Sequence, residues 1–107
     1  MQIPDISDAY ALALELDNVR GGDVLDKESI SEEIDEGNKE FLSDVGEFNR
    51  FVASLREALK SGDIEQQDKD LVTLKVYAMN FVTTFSNLND ELERLVKAYA
   101  FLEERNK

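Results

Sequence analysis

The chain of 107 residues contains no cysteine and no histidine. Without these residues it has no thiol nucleophile, no disulfide, no Cys/His zinc site and no histidine general base. The di-iron sites of ferritin-like bundles also require histidine beside glutamate, so they are excluded as well. We therefore expect a protein that is not an enzyme and that has no catalytic residue, no cofactor and no metal site.

Turn-forming residues are also scarce, with one proline and five glycines. A protein built of many short strands needs more of both, so the composition favours helices. The length is typical of one domain, and 42% hydrophobic residues are enough to form a core. We predict an all-α fold in a single domain that spans residues 1–107.

Long apolar runs are missing, and the first ten residues, MQIPDISDAY, lack the basic and apolar regions of a secretory signal. We expect a cytoplasmic protein with no membrane contact, although export by a route that ignores such signals stays open. The formal net charge of -12 argues against direct binding to nucleic acid, whose phosphates are recognised by lysine and arginine.

Three helices are predicted, at about residues 5–20, 29–60 and 64–105. Asp5 can cap the first helix, and Gly21 and Gly22 can end it. Its apolar residues recur at helical spacing and predict the buried face. These residues are Ile6, Ala9, Leu12, Leu16 and Val19.

The second helix begins in the acidic stretch ESISEEIDEG, where Ser29 and Glu32 match a capping box. Its apolar stripe keeps a helical period through Gly37. We therefore favour one continuous helix, although a break at Gly37-Asn38, with Asn38 capping a new helix, is the alternative. The stripe consists of Ile30, Ile34, Gly37, Phe41, Val45, Phe48, Val52, Leu55 and Leu59.

The third helix is predicted to start after Asp63, which fits a cap, and to carry an uninterrupted heptad seam. A short strand at Val72–Tyr77 is the rival interpretation of its first part. Because a short loop joins the second and third helices, we predict a long antiparallel helical hairpin with the shorter N-terminal helix packed against it, in a three-helix bundle. The seam consists of Leu71, Leu74, Ala78, Phe81, Phe85, Leu88, Leu92, Leu95, Tyr99 and Leu102.

From Leu71 to Val82 nine of twelve residues are apolar, and they include Val72, Val76, Met79 and Val82 outside the seam. A helix that is apolar on nearly all sides has to be covered on nearly all sides. The first helix can cover one flank. A second copy of the chain or a partner protein is the other candidate, so these four residues are a candidate apolar interface.

The negative charge is uneven, because residues 1–50 carry 4 − 14 = −10 and residues 51–107 carry 8 − 10 = −2. Five acids form one stripe along the second helix, where like charges three and four residues apart repel one another. The stripe is either a solvated face or a surface that attracts a basic partner. Its members are Glu33, Glu36, Glu40, Asp44 and Glu47.

The twelve residues from Asp17 to Glu28 partly match a calcium-binding loop, with Asp17 first, Gly22 sixth and Glu28 last. Val19 and Gly21 stand where such a loop supplies oxygen ligands. We therefore interpret the segment as a turn between helices.

The functional hypothesis is a non-enzymatic protein–protein interaction module, an acidic helical protein that binds and masks or escorts a basic partner, as inhibitors, immunity-type proteins and small chaperones do. One alternative is a self-assembling helical oligomer, for instance a homodimer. Another is an acidic DNA mimic that inhibits a nucleic-acid-binding protein.

Overall fold

The computed structural model describes residues 3–100, which contain three α-helices and no strand. These are α1 (Ile6–Val19), α2 (Lys27–Ser61) and α3 (Ile64–Leu95), and α3 is followed by a π-helical segment at Val96–Ala100. The predicted all-α class is confirmed, with α2 packed against α1 and α3. The rival strand at 72–77 is wrong, because these residues lie within α3. The predicted continuation of the third helix to residue 105 lies partly outside the described residues.

The described residues form two compact units. The first contains α1, residues 27–39 of α2, residues 85–95 of α3 and the π-helical segment. The second contains residues 40–61 of α2 and 64–84 of α3, which the turn at residues 62 and 63 joins into a helical hairpin. The two units are described separately below.

In the first unit, α1 packs onto α2 at Gly37. Ile6 is only 2% exposed, and a Cβ atom on Gly37 would lie 3.2 Å from its Cγ2 atom. A glycine inside a helix costs about 1 kcal/mol relative to alanine. The close approach of Ile6 explains why a glycine nevertheless occupies this position. Helix α2 runs through Gly37 and Asn38 without a break, as favoured from the sequence.

Asn38 stabilises the start of α1 instead of starting a new helix. Its side-chain oxygen accepts a hydrogen bond from the Ser7 backbone N–H at 3.0 Å, and its amide group donates to the Asp5 carboxylate at 2.9 Å. The Ser7 hydroxyl accepts in return from the Asn38 backbone N–H at 3.2 Å. Asp5 also caps α1 as predicted, because it accepts from the Asp8 backbone N–H. These contacts fix the N-terminus of α1 on α2.

The buried face of α1 differs from the prediction after Ile6. The structure buries Tyr10, Ala13 and Asp17, whereas Leu12, Leu16 and Val19 are 61%, 40% and 80% exposed. Both sets of residues have helical spacing, so periodicity alone could not choose between them. The buried set includes Asp17, whose carboxylate accepts hydrogen bonds from the loop that follows α1.

The second unit is held together by aromatic contacts between α2 and α3. The ring of Phe81 packs edge-on against the rings of Phe41 and Phe48, with centroids 5.8 and 5.6 Å apart. The ring of Phe51 stacks on that of Tyr77 at 6.2 Å. Edge-to-face and offset-stacked pairs at such distances add to the gain from burial alone. Phe41 and Phe48 of the apolar stripe predicted for α2 are thus in contact with α3. Leu59 of the stripe is 62% exposed, and Ala58 is buried instead.

The inward-facing side of α3 agrees with the predicted seam at every second position only. The shared positions are Leu74, Phe81, Leu88 and Leu95. At each position between them, the residue that precedes the predicted one faces inward, and the predicted residues Leu71, Ala78, Phe85 and Leu92 are exposed. Apolar residues cover most of the circumference of α3, and their spacing therefore does not determine which side packs. The buried or half-buried positions include Asp70, Leu74, Tyr77, Phe81, Thr84, Leu88, Glu91 and Leu95.

Two helix starts test the predicted caps. Asp63 accepts a hydrogen bond from the Gln66 backbone N–H at 3.1 Å and caps α3 as predicted. At α2 the capping residue is Asp26, which accepts from the backbone N–H of Glu28 at 3.1 Å, and the proposed cap Ser29 lies inside the helix. An aspartate is as effective a cap as a serine, so the helix starts two residues earlier than predicted.

Candidate interaction surfaces

The most exposed apolar surface of the second unit lies on α3. The four candidate interface residues are each more than half exposed, at 66% for Val72, 52% for Val76, 60% for Met79 and 68% for Val82, and Leu71 beside them is 56% exposed. We call these five residues the α3 outer face.

The α3 outer face is nearly free of charge. Lys75 is the only charged residue between Leu71 and Val82. Five neighbouring apolar side chains with these exposures leave on the order of 500 Å² of apolar surface, a size at which exposed patches on monomers are often functional. Leu71, which the sequence placed in the seam, is exposed here as well.

The members of the acidic stripe occupy different environments. In the first unit Glu33 is exposed beside Tyr10, and Glu36 forms a weak, exposed ion pair with Lys39 at 3.9 Å. In the second unit Glu47 binds Arg50, whose Nη2 and Nε atoms donate to one carboxylate oxygen at 2.6 and 3.1 Å. The structure therefore neutralises part of the stripe locally.

The other two stripe residues, Glu40 and Asp44, form no ion pair with any residue between 3 and 100. The excess negative charge as a whole is concentrated in the chain segments of the first unit, where 7 − 16 gives −9, while residues 40–84 carry 5 − 8 = −3. Charge of this density raises the rate of encounter with a basic partner.

A buried carboxylate that the sequence did not indicate connects α1 to its loop and to the π-helical segment. Asp17 is fully buried and accepts hydrogen bonds from the backbone N–H groups of Val24 at 3.4 Å and Leu25 at 3.0 Å. The Tyr99 hydroxyl donates to the same carboxylate at 2.7 Å. A Cβ atom on Gly22 would overlap this hydroxyl, so the loop needs a glycine there.

These contacts set the protonation of both partners. Burial acts to raise the pKa of Asp17, but the hydrogen bonds from Tyr99, Leu25 and Val24, together with the charge of Lys27, outweigh it and the pKa is lowered. The hydrogen bond to Asp17 raises the pKa of Tyr99 in turn. Asp17 was considered from the sequence as a calcium ligand. In the structure its oxygens accept hydrogen bonds from the protein itself.

A second buried carboxylate lies in the hairpin of the second unit. Asp70 is fully buried and accepts hydrogen bonds from the Ser54 hydroxyl at 2.7 Å and from the Gln66 side chain at 2.9 Å. A buried polar group that has its hydrogen-bond partners costs far less than one without them. Asp70 therefore contributes to the packing of α2 on α3 and not to a surface.

Among residues 3–100 no group of three or more acidic side chains is arranged to hold a metal ion, and none of the helices is long and apolar enough to cross a membrane. Comparison of the chain with protein-family models, with curated proteins and with solved structures finds no significant match. Functional inference therefore rests on the surfaces described above.

Proposed function

We propose that this protein is a non-enzymatic interaction module, which acts in the cytoplasm by binding a basic partner protein and masking or escorting it. The observation that carries this proposal is the exposed apolar α3 outer face. Burial of apolar surface is the main driving force of protein association. A helix that packs with one side and presents apolar side chains on the other is suited to bind a second protein.

The size of the face supports this role. One side of a standard protein–protein interface buries about 800 Å², so the estimated apolar surface would supply more than half of it. Polar and charged residues around such a patch commonly form the rim of an interface.

The charge of the chain defines the kind of partner. A net charge of -12 attracts a basic protein and repels an acidic one. Glu40 and Asp44, which lie in the same unit as the face and have no ion pair among the described residues, are available to basic side chains. The complex should therefore combine an apolar contact with charge attraction that weakens as salt rises.

Affinity capture with the full chain tests this proposal. We expect one basic protein to be retained by the wild type and released at high salt, and we expect Met79→Asp to lose it, since a charge in the apolar contact would have to be buried unpaired. Leu59→Asp is the matched control, because Leu59 is equally exposed in the same unit but lies on α2. Equal retention by both variants would show that the face is not the binding surface.

A second candidate function is self-assembly through the same face. It is favoured by the low net charge of the second unit, −3, which offers little repulsion between two copies. Size-exclusion chromatography with light scattering distinguishes the two functions. A dimer at tens of micromolar that Met79→Asp converts to a monomer would support self-assembly, and a monomer under all conditions would exclude it.

A further inference from the structure

A small acidic pocket lies within the first unit, between α1, the start of α2 and the end of α3. Its volume is about 260 Å³ and its lining includes Tyr10, Glu32, Glu33, Asp90, Glu91 and Arg94. Four carboxylates and one guanidinium give these residues a charge of 1 − 4 = −3. Arg94 forms an ion pair with Glu91, with its Nε atom 3.8 Å from the carboxylate. The other three carboxylates have no ion pair among residues 3–100.

The floor of this pocket is a tyrosine whose hydroxyl has no partner among residues 3–100. Tyr10 is only 2% exposed as a whole residue. No fully buried side-chain oxygen or nitrogen of the described residues lacks a partner, so the small exposed part of Tyr10 includes its hydroxyl oxygen. Burial, followed by the charges of Glu33, Glu91 and Asp90, raises the pKa of Tyr10 to about 12. The phenol is neutral at physiological pH, as it would also be at its ordinary pKa, and its oxygen can accept a hydrogen bond.

The volume indicates the size of the occupant. Pockets for small organic ligands usually measure about 300–1,000 Å³, so this one is matched to a single side chain. The polar lining and the surrounding carboxylates select a cation, and an ammonium or guanidinium group carries only hydrogen-bond donors. Its N–H groups would match the carboxylate oxygens of the walls and the phenol oxygen of the floor.

We propose that this pocket receives the cationic end of an arginine or lysine side chain of the partner protein, an inference that rests on the proposed function. The apolar α3 outer face would supply general affinity. The pocket would supply selectivity, because an uncharged side chain would leave the acidic walls and the Tyr10 hydroxyl without a partner.

The test uses a short blocked peptide, Gly-Gly-Arg-Gly-Gly, titrated into the ¹⁵N-labelled full chain at low salt. We expect a dissociation constant on the order of 1 mM and shifts confined to amides around Tyr10, Ile30 and Glu91. The same peptide with norleucine in place of arginine should cause no shifts. Spermidine is titrated separately, since a free polyamine carries the same ammonium chemistry.

Variants locate the binding. Glu33→Gln should weaken the arginine peptide about tenfold, because it removes one charge-assisted contact. Asp35→Asn is the matched control, with the same loss of charge on an exposed position of α2 outside the pocket, and should change binding less than about twofold. Tyr10→Phe keeps the buried ring and should weaken the peptide while the rest of the spectrum is unchanged.

Three results would overturn the inference: shifts scattered over the acidic surface, equal effects of Glu33→Gln and Asp35→Asn, or binding of spermidine without binding of the peptide. The last would assign the pocket to a free polyamine. Met79→Asp should leave the titration unchanged. If the arginine peptide binds but affinity capture retains no basic protein, the proposed function is contradicted and the pocket is not. If a basic protein is captured but the peptide does not bind, the inference about the pocket is contradicted and the proposed function is not.

Discussion

Two glycines inside α2 provide a sharp test of how α1 packs. Gly37 lies beneath Ile6, whereas a Cβ atom on Gly46 would meet nothing within 4 Å. Replacing either by alanine removes the same helix penalty of about 1 kcal/mol. Gly46→Ala should therefore raise the free energy of unfolding by about 1 kcal/mol.

Gly37→Ala gains the same helix term but must make room for a methyl group. The new Cβ atom would lie 3.2 Å from Ile6 Cγ2, closer than the roughly 3.5–4.0 Å of favourable carbon contacts. Ile6 cannot move aside freely, because it is buried and the Ser7–Asn38 hydrogen bonds hold the start of α1. Overpacking of this kind costs about 1–3 kcal/mol, so the net effect lies between about zero and a loss of 2 kcal/mol.

Urea unfolding followed by circular dichroism measures both variants. The midpoint of Gly37→Ala should lie below that of Gly46→Ala by the equivalent of about 1–3 kcal/mol, with similar slopes. Adding Ile6→Leu, which moves the branch away from the β-carbon, should recover part of the loss. If Gly37→Ala is as stable as Gly46→Ala, the close approach of α1 to α2 at this position is wrong.

Three further predictions concern hydrogen bonds to buried or half-buried groups. The pKa of Asp17 lies below its ordinary 3.8 in the folded chain, so its carboxylate stabilises the fold above that pH and loses this contribution as the pH falls. Asp17→Asn should therefore be less stable than the wild type at neutral pH. A difference in unfolding free energy between the two that does not narrow in acid would contradict this. Asp70→Ala should cost about 1–3 kcal/mol, because it leaves the Ser54 and Gln66 donors unpaired, whereas Asp68→Ala on the exposed side should change the unfolding free energy by less than about 0.5 kcal/mol. Asn38→Ala should cost about 1 kcal/mol, like the loss of a helix cap, and the exposed Asn49→Ala of the same helix serves as its control; equal urea midpoints for the pair would refute the capping role.

The amino-acid sequence by itself determined the secondary structure of this protein. Its scarcity of proline and glycine and its 3–4 apolar spacing required helices, and local chemistry set several helix ends. Asp5 and Asp63 cap their helices through contacts only three residues away. Such short-range interactions are legible in a sequence, because the partners are fixed by the helix geometry itself. The excess of apolar residues at Val72, Val76, Met79 and Val82 was also visible in the sequence, because it depends only on the residue types along one helix.

Only the tertiary structure decided which side of each helix is buried. In α1 and α3 the apolar residues allow two neighbouring faces with almost the same period, and the choice depends on partners far along the chain. Asp17 binds Tyr99, 82 residues away, and Asp70 binds Ser54 on the facing helix. A carboxylate that is buried needs hydrogen-bond donors around it, and in the structure Asp17 and Asp70 are buried where such donors exist, whereas Leu12, Leu16 and Leu71 are exposed. The pocket lined by Tyr10 likewise exists only where three separate segments of the chain meet.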